Sequence, residues 1–389
     1  MKCCGILIFF LLISQCTFSD SSFIRVRLYS NQSCLEVTCS DTVDIFDPGT
    51  AQDIAAGFLS TRFSIVQNGT SMKMVYSSDE SPTLCFNLPP EIVIEPGNSG
   101  KISVNGNEYR GSIFVRNKGG DSPSIEVINI LDIEDYIRGT IRSEISPAWP
   151  QEAIKAHIVA ARTYALYQMQ NRKKEFFDVE ANVLSQVYQG CAGEDSAADE
   201  LIRATKGEFL TYRNEVAQVF YHSCCGGYTE DSLDVWGISI PYLKSVRCPF
   251  CKDSPPFYWE RKFTSNEIQE MMKRNGLNLG SIIKIWIKRT SRTGRIMKLG
   301  IRGTDGEEEI TGERFRRIMG YSVIPSTLFT IEQRSREEFI FTGRGYGHGV
   351  GMCQWGARGM ALSGYDYREI LRYYYPGTKI NRMDVANNR

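Results

Sequence analysis

The chain lacks an excess of either charge. Lys plus Arg and Asp plus Glu both number 45 in 389 residues, so the formal net charge is zero. Partners of a phosphate backbone carry a basic surplus that neutralises phosphates, and its absence argues against nucleic acid. Beyond Phe18 no apolar run reaches the length of a membrane span. Internal repeats, low-complexity linkers and heptads are also missing, which excludes solenoids and coiled coils. The glycine-rich run GRGYGHGVG, Gly343 to Gly351, is followed by no Gly-Lys-Ser/Thr and lacks the G-x-G-x-x-G spacing. Neither a phosphate loop nor a dinucleotide fold is indicated.

What is present begins with MKCCGILIFFLLISQCTFSD, one lysine and then an apolar run from Gly5 to Ser14. The run is too short to span a bilayer and has the layout of a secretory signal peptide, residues 1–19. The mature chain is therefore expected in the periplasm or cell envelope, with lipidation of Cys16 as an alternative anchor. Twelve cysteines are present, and Cys3 and Cys4 leave with the signal. In an oxidising compartment Cys34 is a candidate to pair with Cys39 or Cys85.

Residues 20–108 read as a β-rich N-terminal region. FIRVRLYS alternates, CLEVTC and KMVYSS are short β-prone runs, and Asn105-Gly106 is a hairpin signal between KISV and GSIFVRN. Residues 109–389 mix helices and strands, which gives an α+β chain. Leu131 to Met169 organises this part. Ile133, Tyr136, Ile137, Thr140 and Ile141 recur at helical spacing, and Pro147 and Pro150 stop the helix. A second helix starts near Pro150 and shows Ile154, Ile158, Ala161 and Ala165 on one face.

Glu144 continues the apolar stripe of the first helix. A carboxylate there is partly desolvated, which favours the protonated form that a general acid needs. The plainer alternative is a helix-terminal residue in solvent, or a partner for Arg142 or Lys155.

His222, Cys224, Cys225, Cys248 and Cys251 cluster in HSCCGG and CPFC. The two-residue gaps Cys248/Cys251 and His222/Cys225 allow both pairs to meet one tetrahedral ion, which makes His222, Cys225, Cys248 and Cys251 a candidate zinc set. With all four bound the ion is closed and structural; with three, a water could occupy the fourth place. A Cys248–Cys251 redox pair, or disulfides with Cys224, are the alternatives. In the glycine-rich loop, Arg344, Tyr346, His348 and Gln354 are the side chains available to sugar hydroxyls and acetamido groups. The alternative there is a structural loop with His348 satisfied in the core.

Four segments together resemble the SpoIID/LytB family, the stage II sporulation protein D group. They are LDIEDYIRGTIRSEISPAWPQEAIKAHIVAARTYAL, YHSCCGGYTEDSLDVWG, PYLKSVRCPFCKDSP and GRGYGHGVGMCQWGARGMALSGYDYREILRYYYPGT, in the family's order. The resemblance spans about Tyr109 to Thr378. It implies a lytic transglycosylase acting on peptidoglycan glycan strands already stripped of stem peptides by an amidase. In the family the position of Glu144 is the catalytic acid, and zinc is held at positions matching His222, Cys225 and Cys251. Arg162, Tyr164, Tyr346, His348 and Gln354 are then the candidates to position sugar. His157 and Cys353 depart from the family pattern, where glutamine and serine are usual, and Cys224 is an added thiol. The family also contains amidase enhancers, which implies a rival role as a non-catalytic peptidoglycan-binding module. A catalytic zinc hydrolase is a further rival.

Overall fold

The computed structural model describes residues 22–59, 62–78, 81–97, 100–120, 122–182 and 185–383; the expected signal peptide and Cys16 lie outside them. The chain divides into two compact units. The first comprises Met1–Ala148, Ala161–Phe209 and Arg382–Arg389, and the second Trp149–Ala160 and Leu210–Asn381. Eight α-helices lie among the described residues: α1 (Ile133–Glu144), α2 (Gln151–Asn171), α3 (Ser196–Ala204), α4 (Ser232–Trp236), α5 (Ser265–Arg274), α6 (Gly312–Met319), α7 (Gln354–Leu362) and α8 (Tyr367–Tyr374). Together with the sheets below they make the chain α+β.

The first unit holds two sheets. One has seven strands in the order Val179–Glu180, Phe23–Gln32, Ile125–Asp132, Ser112–Asn117, Glu91–Pro96, Thr42–Asp47, Gln52–Leu59. All neighbours are antiparallel except the first two. The other has six, Asn107–Arg110, Lys101–Val104, Cys34–Thr38, Arg62–Asn68, Ser71–Ser78, Ser81–Leu88. Alternation decides which faces are hidden: Ile24 and Val26, Ile113 and Val115, Leu35 and Val37, and Phe63 and Ile65 are all buried. The Asn105-Gly106 turn forms with both residues at positive φ, 51° and 80°, as a tight two-residue hairpin requires. It closes Lys101–Val104 on Asn107–Arg110 rather than on GSIFVRN, which pairs within the other sheet.

The expected disulfides do not form, and Cys34, Cys39, Cys85 and Cys191 are free thiols. Cys34 opens an extended strand and Cys39 follows it, which separates them by roughly 16 Å, beyond the reach of a disulfide. Cys85 opposes Val75, and two strands stand between it and Cys34.

α1 begins at Asp132, whose carboxylate accepts the Glu134 N–H, and ends where Ile145 turns extended ahead of Pro147. α2 starts just after Pro150, and Ile154, Ile158, Ala161 and Ala165 are buried along it. In the second unit, Tyr258–Thr264, Glu338–Arg344 and Phe329–Gln333 form one antiparallel sheet, and Ile282–Thr290, Ile296–Gly303 and Gly306–Thr311 another. With α5 and α6 they enclose a core that includes Ile268, Met272, Leu299, Phe315, Phe339 and Phe341.

Candidate functional site: a desolvated carboxyl and a four-thiol cluster

In the first unit Glu144 ends α1 half-buried. Its Oε1 accepts the Val187 N–H at 2.8 Å. Burial pushes its pKa up, and the Val187 N–H opposes that shift only in part. Tyr136 and Tyr164 lie close enough to feel its charge, and burial raises both phenols, so each stays a neutral hydroxyl. The loop from Ser185 to Val187 braces this group. The Tyr136 hydroxyl donates to Gln186 Oε1 at 2.8 Å, and Val187 follows directly with its N–H on the carboxylate. Neither Gln186 nor the Val187 backbone was singled out from sequence, because a main-chain donor on a polar loop leaves no residue signature.

The structure corrects the role expected of Arg162. Its side chain is fully buried, Nε and Nη2 clasp Glu134 at 2.9 and 2.7 Å, and Nη1 donates to the Glu208 carbonyl at 2.9 Å. A guanidinium fully buried and bonded through all three nitrogens is out of a sugar's reach; it ties α2 to the start of α1. Tyr164, by contrast, is half-buried. Ser185, Gln168 and Glu144 lie close enough to its hydroxyl to influence its pKa, with burial the larger effect.

In the second unit, the glycine-rich loop packs on the turn that carries Cys224 and Cys225. Tyr346 N–H donates to Cys224 O at 2.7 Å and its carbonyl accepts the Cys224 N–H at 3.0 Å. This leaves the half-buried phenol of Tyr346 as the part available to a ligand. Gln354 is buried at the first position of α7. His348 is a second correction. Nδ1 accepts the Val350 N–H and Nε2 donates to Tyr221 O, both at 3.1 Å, while the rings of Phe220 and Trp236 flank it. Both nitrogens are spent within the unit, and burial first, then Arg316 and Arg295, push its pKa down to about 3.

The Sγ atoms of Cys225, Cys248, Cys251 and Cys353 all lie within 4.8 Å of one another and are buried. Three of these belong to the expected set, and Cys353 stands where His222 was expected. The physical reason is strand pairing. Tyr221–His222 runs parallel to Met352–Cys353, which carries Cys353 to the Cys224-Cys225 turn. His222 Nδ1 meanwhile faces the Val350 carbonyl at 3.1 Å.

This donor set fits a tetrahedral ion. Sulfurs about 2.3 Å from one metal stand roughly 3.8 Å apart, and Cys225 and Cys251 Sγ are 3.5 Å apart. Donors that would steady thiolates are in place: Cys353 Sγ accepts N–H groups of Cys225 and Gly356 at 3.2 and 3.3 Å, and Cys248 Sγ meets the Tyr374 hydroxyl at 3.1 Å. The guanidinium of Arg295 is also buried here. Nη2 donates to Cys225 O at 2.8 Å, while Nε and Nη1 have no hydrogen-bond partner among the described residues. Burial lowers its pKa, and the neighbouring thiols and Glu230 act in the opposite sense. A buried cation without full hydrogen bonding is costly unless negative charge stands beside it, which four thiolates around a divalent ion would supply. Close approach of α7 to the Cys248–Cys251 turn depends on two glycines. A Cβ on Gly356 would fall 2.6 Å from Cys248 Sγ, and one on Gly359 2.1 Å from Phe250 O.

Fold and site together define an α+β protein with a desolvated carboxyl at Glu144 and a buried thiol cluster that can hold a metal. Residues 121–212 match the family model described as Stage II sporulation protein, and residues 250–351 match one described as a domain of unknown function. Stage II sporulation protein D of Bacillus subtilis is 30% identical over 275 residues, covering 67% of this chain and 77% of that protein. An uncharacterized protein of Brachyspira hyodysenteriae is 31% identical over 375 residues, 95% of this chain and 96% of the relative. The Amidase enhancer of Bacillus subtilis is 28% identical over 335 residues, 74% of this chain but 46% of the enhancer. The chain belongs to the SpoIID family.

Proposed function

We propose that this protein is an exported lytic transglycosylase of the cell envelope that cuts peptidoglycan glycan strands lacking stem peptides, with Glu144 as its acid and base. The observation that carries the reading is a carboxyl raised in pKa by burial, with the Val187 N–H donating to its Oε1. Such a group holds its proton to higher pH than an ordinary carboxyl, which suits a general acid. It gives that proton to the glycosidic oxygen as the bond from muramic acid C1 breaks through an oxocarbenium-like state. The carboxylate left behind takes the proton of the same sugar's 6-hydroxyl, whose oxygen bonds to C1 and closes a 1,6-anhydro ring. One carboxylate therefore serves both steps, and no water is consumed.

The thiol cluster is read as structural zinc. Cys225, Cys248, Cys251 and Cys353 would together hold the ion with no open position, which would staple the Cys224-Cys225 turn, the Cys248–Cys251 turn and the start of α7 together.

Likeness to a protein named Amidase enhancer favours a second reading, a non-catalytic strand-binding module that raises the activity of a cell-wall amidase. Mass spectrometry of products from purified strands, with and without amidase pretreatment, separates the two. Wild type should release anhydro-muramyl products from stripped strands, and Glu144→Gln none. Strand binding by both proteins, no sugar release by either and acceleration of an added amidase would install the enhancer instead.

A further inference from the structure

The second unit contains a cation that nothing in the preceding account uses. Trp149 and Trp355 meet edge to face, centroids 4.9 Å apart and planes at 64°. Arg358, one turn along α7 from Trp355, sets its guanidinium 5.1 Å from the Trp355 centroid and 5.9 Å from that of Trp149. All three side chains are half-buried. Among the described residues Arg358 has no carboxylate partner. The contrast is Trp286, also framed by cations, where Lys288 and Arg302 are committed to Glu309 and Glu307.

Two indoles steady the Arg358 charge by a cation–π contact but leave its N–H fork open. A ligand that answers both features has a flat C–H face for the indoles and a carboxylate for the fork. We propose that Trp149, Trp355 and Arg358 form a subsite for a carboxylate-bearing sugar, the muramic acid unit whose lactyl carboxyl is free. This rests on the glycan-strand reading above. A stem peptide converts that carboxyl to a neutral, bulky amide, so Arg358 is the residue that distinguishes stripped from substituted strands by charge.

The test is calorimetric binding of the full chain carrying Glu144→Gln, so that the probe is not consumed. The probes are peptide-free glycan oligosaccharides, with lactyl carboxylates either free or converted to methylamides. The parent should bind the acid about tenfold more tightly than the amide, the value of one good charged contact. Added Arg358→Gln should bring that ratio to about one, Arg358→Lys should keep part of it, and Trp355→Leu should weaken both probes alike. Should Arg358→Gln melt early, the parent's ratio read from low to high salt replaces it and should shrink. A parent without preference, or a folded Arg358→Gln with the parent's ratio, overturns the subsite. Anhydro-sugar release by wild type is read separately. If release fails while the ratio responds to Arg358→Gln, the subsite stands without the enzyme; if release occurs while the ratio ignores Arg358→Gln, the enzyme stands without the subsite.

Discussion

Glu144 and the four thiols are both desolvated acidic groups, and they are built in opposite ways. At Glu144 the Val187 N–H donates to Oε1 and burial raises the pKa, so the surroundings favour the protonated form. Around the thiols stand two backbone N–H groups, a phenol and the Arg295 guanidinium, a setting that favours anionic sulfur on a metal. Glu134, ten positions before Glu144 on the same helix, provides an internal control, because there the carboxylate is clasped by Arg162. Burial alone thus does not decide what an acidic group does. The partner supplied on arrival decides it.

The largest expected effect comes from breaking the thiol side of this contrast. Cys353→Ser should lose bound metal, whereas His222→Ala should keep it, as measured by native mass spectrometry. Chelation should lower the melting temperature of wild type but not of metal-free Cys353→Ser, with a cost of several kcal/mol or more by analogy with structural zinc sites. Metal lost from His222→Ala and kept by Cys353→Ser would restore the ligand set first read from the sequence.

Next in size is the clasped carboxylate. Arg162→Met strands Glu134 and should cost about 3–5 kcal/mol in urea unfolding, with much of that recovered when Glu134→Gln is added. A loss below about 1 kcal/mol, the value of a surface pair, would show that the clasp is not dry.

A smaller effect is expected at His157, which is fully buried with neither ring nitrogen hydrogen-bonded among the described residues. Burial depresses its pKa to about 3. A depressed histidine leaves the folded state with fewer protons than the unfolded one, so its contribution is intact above about pH 6.5 and lost as pH falls toward about 3. His157→Gln should flatten the acid limb of the stability profile; an unchanged limb would assign that loss elsewhere.

The smallest shift belongs to Glu144. A raised carboxyl costs nothing below its ordinary pKa and destabilises as pH climbs through the folded value. Glu144→Gln should therefore raise the melting temperature at pH 8 by a few degrees and leave it unchanged at pH 4. A fall at pH 8 would mean that the charged form is the favoured one.

Much of this was legible in the sequence wherever local pattern sufficed. Helical spacing and two prolines placed α1, the elbow and α2, and therefore Glu144, because these signals act within a few residues. The Cys248/Cys251 gap was likewise local. Cys353 was not, since it reaches the cluster through the pairing of Tyr221–His222 with Met352–Cys353, 131 positions apart in register. Arg162 looked like a sugar contact because its residue type suits one, and only burial against Glu134 reveals its role. His348 likewise depended on which nitrogen faced which backbone group, a matter of packing. The indole pair with Arg358 escaped notice because Trp149 and Trp355 are brought together by the fold.

The central claim is that a single carboxyl closes an anhydro ring with no water entering the bond. Cleavage of amidase-treated strands in H2¹⁸O, followed by mass spectrometry of the new termini, tests it most directly. The account predicts anhydro-muramyl ends free of ¹⁸O. Reducing ends carrying one ¹⁸O would make the protein a hydrolase and contradict it.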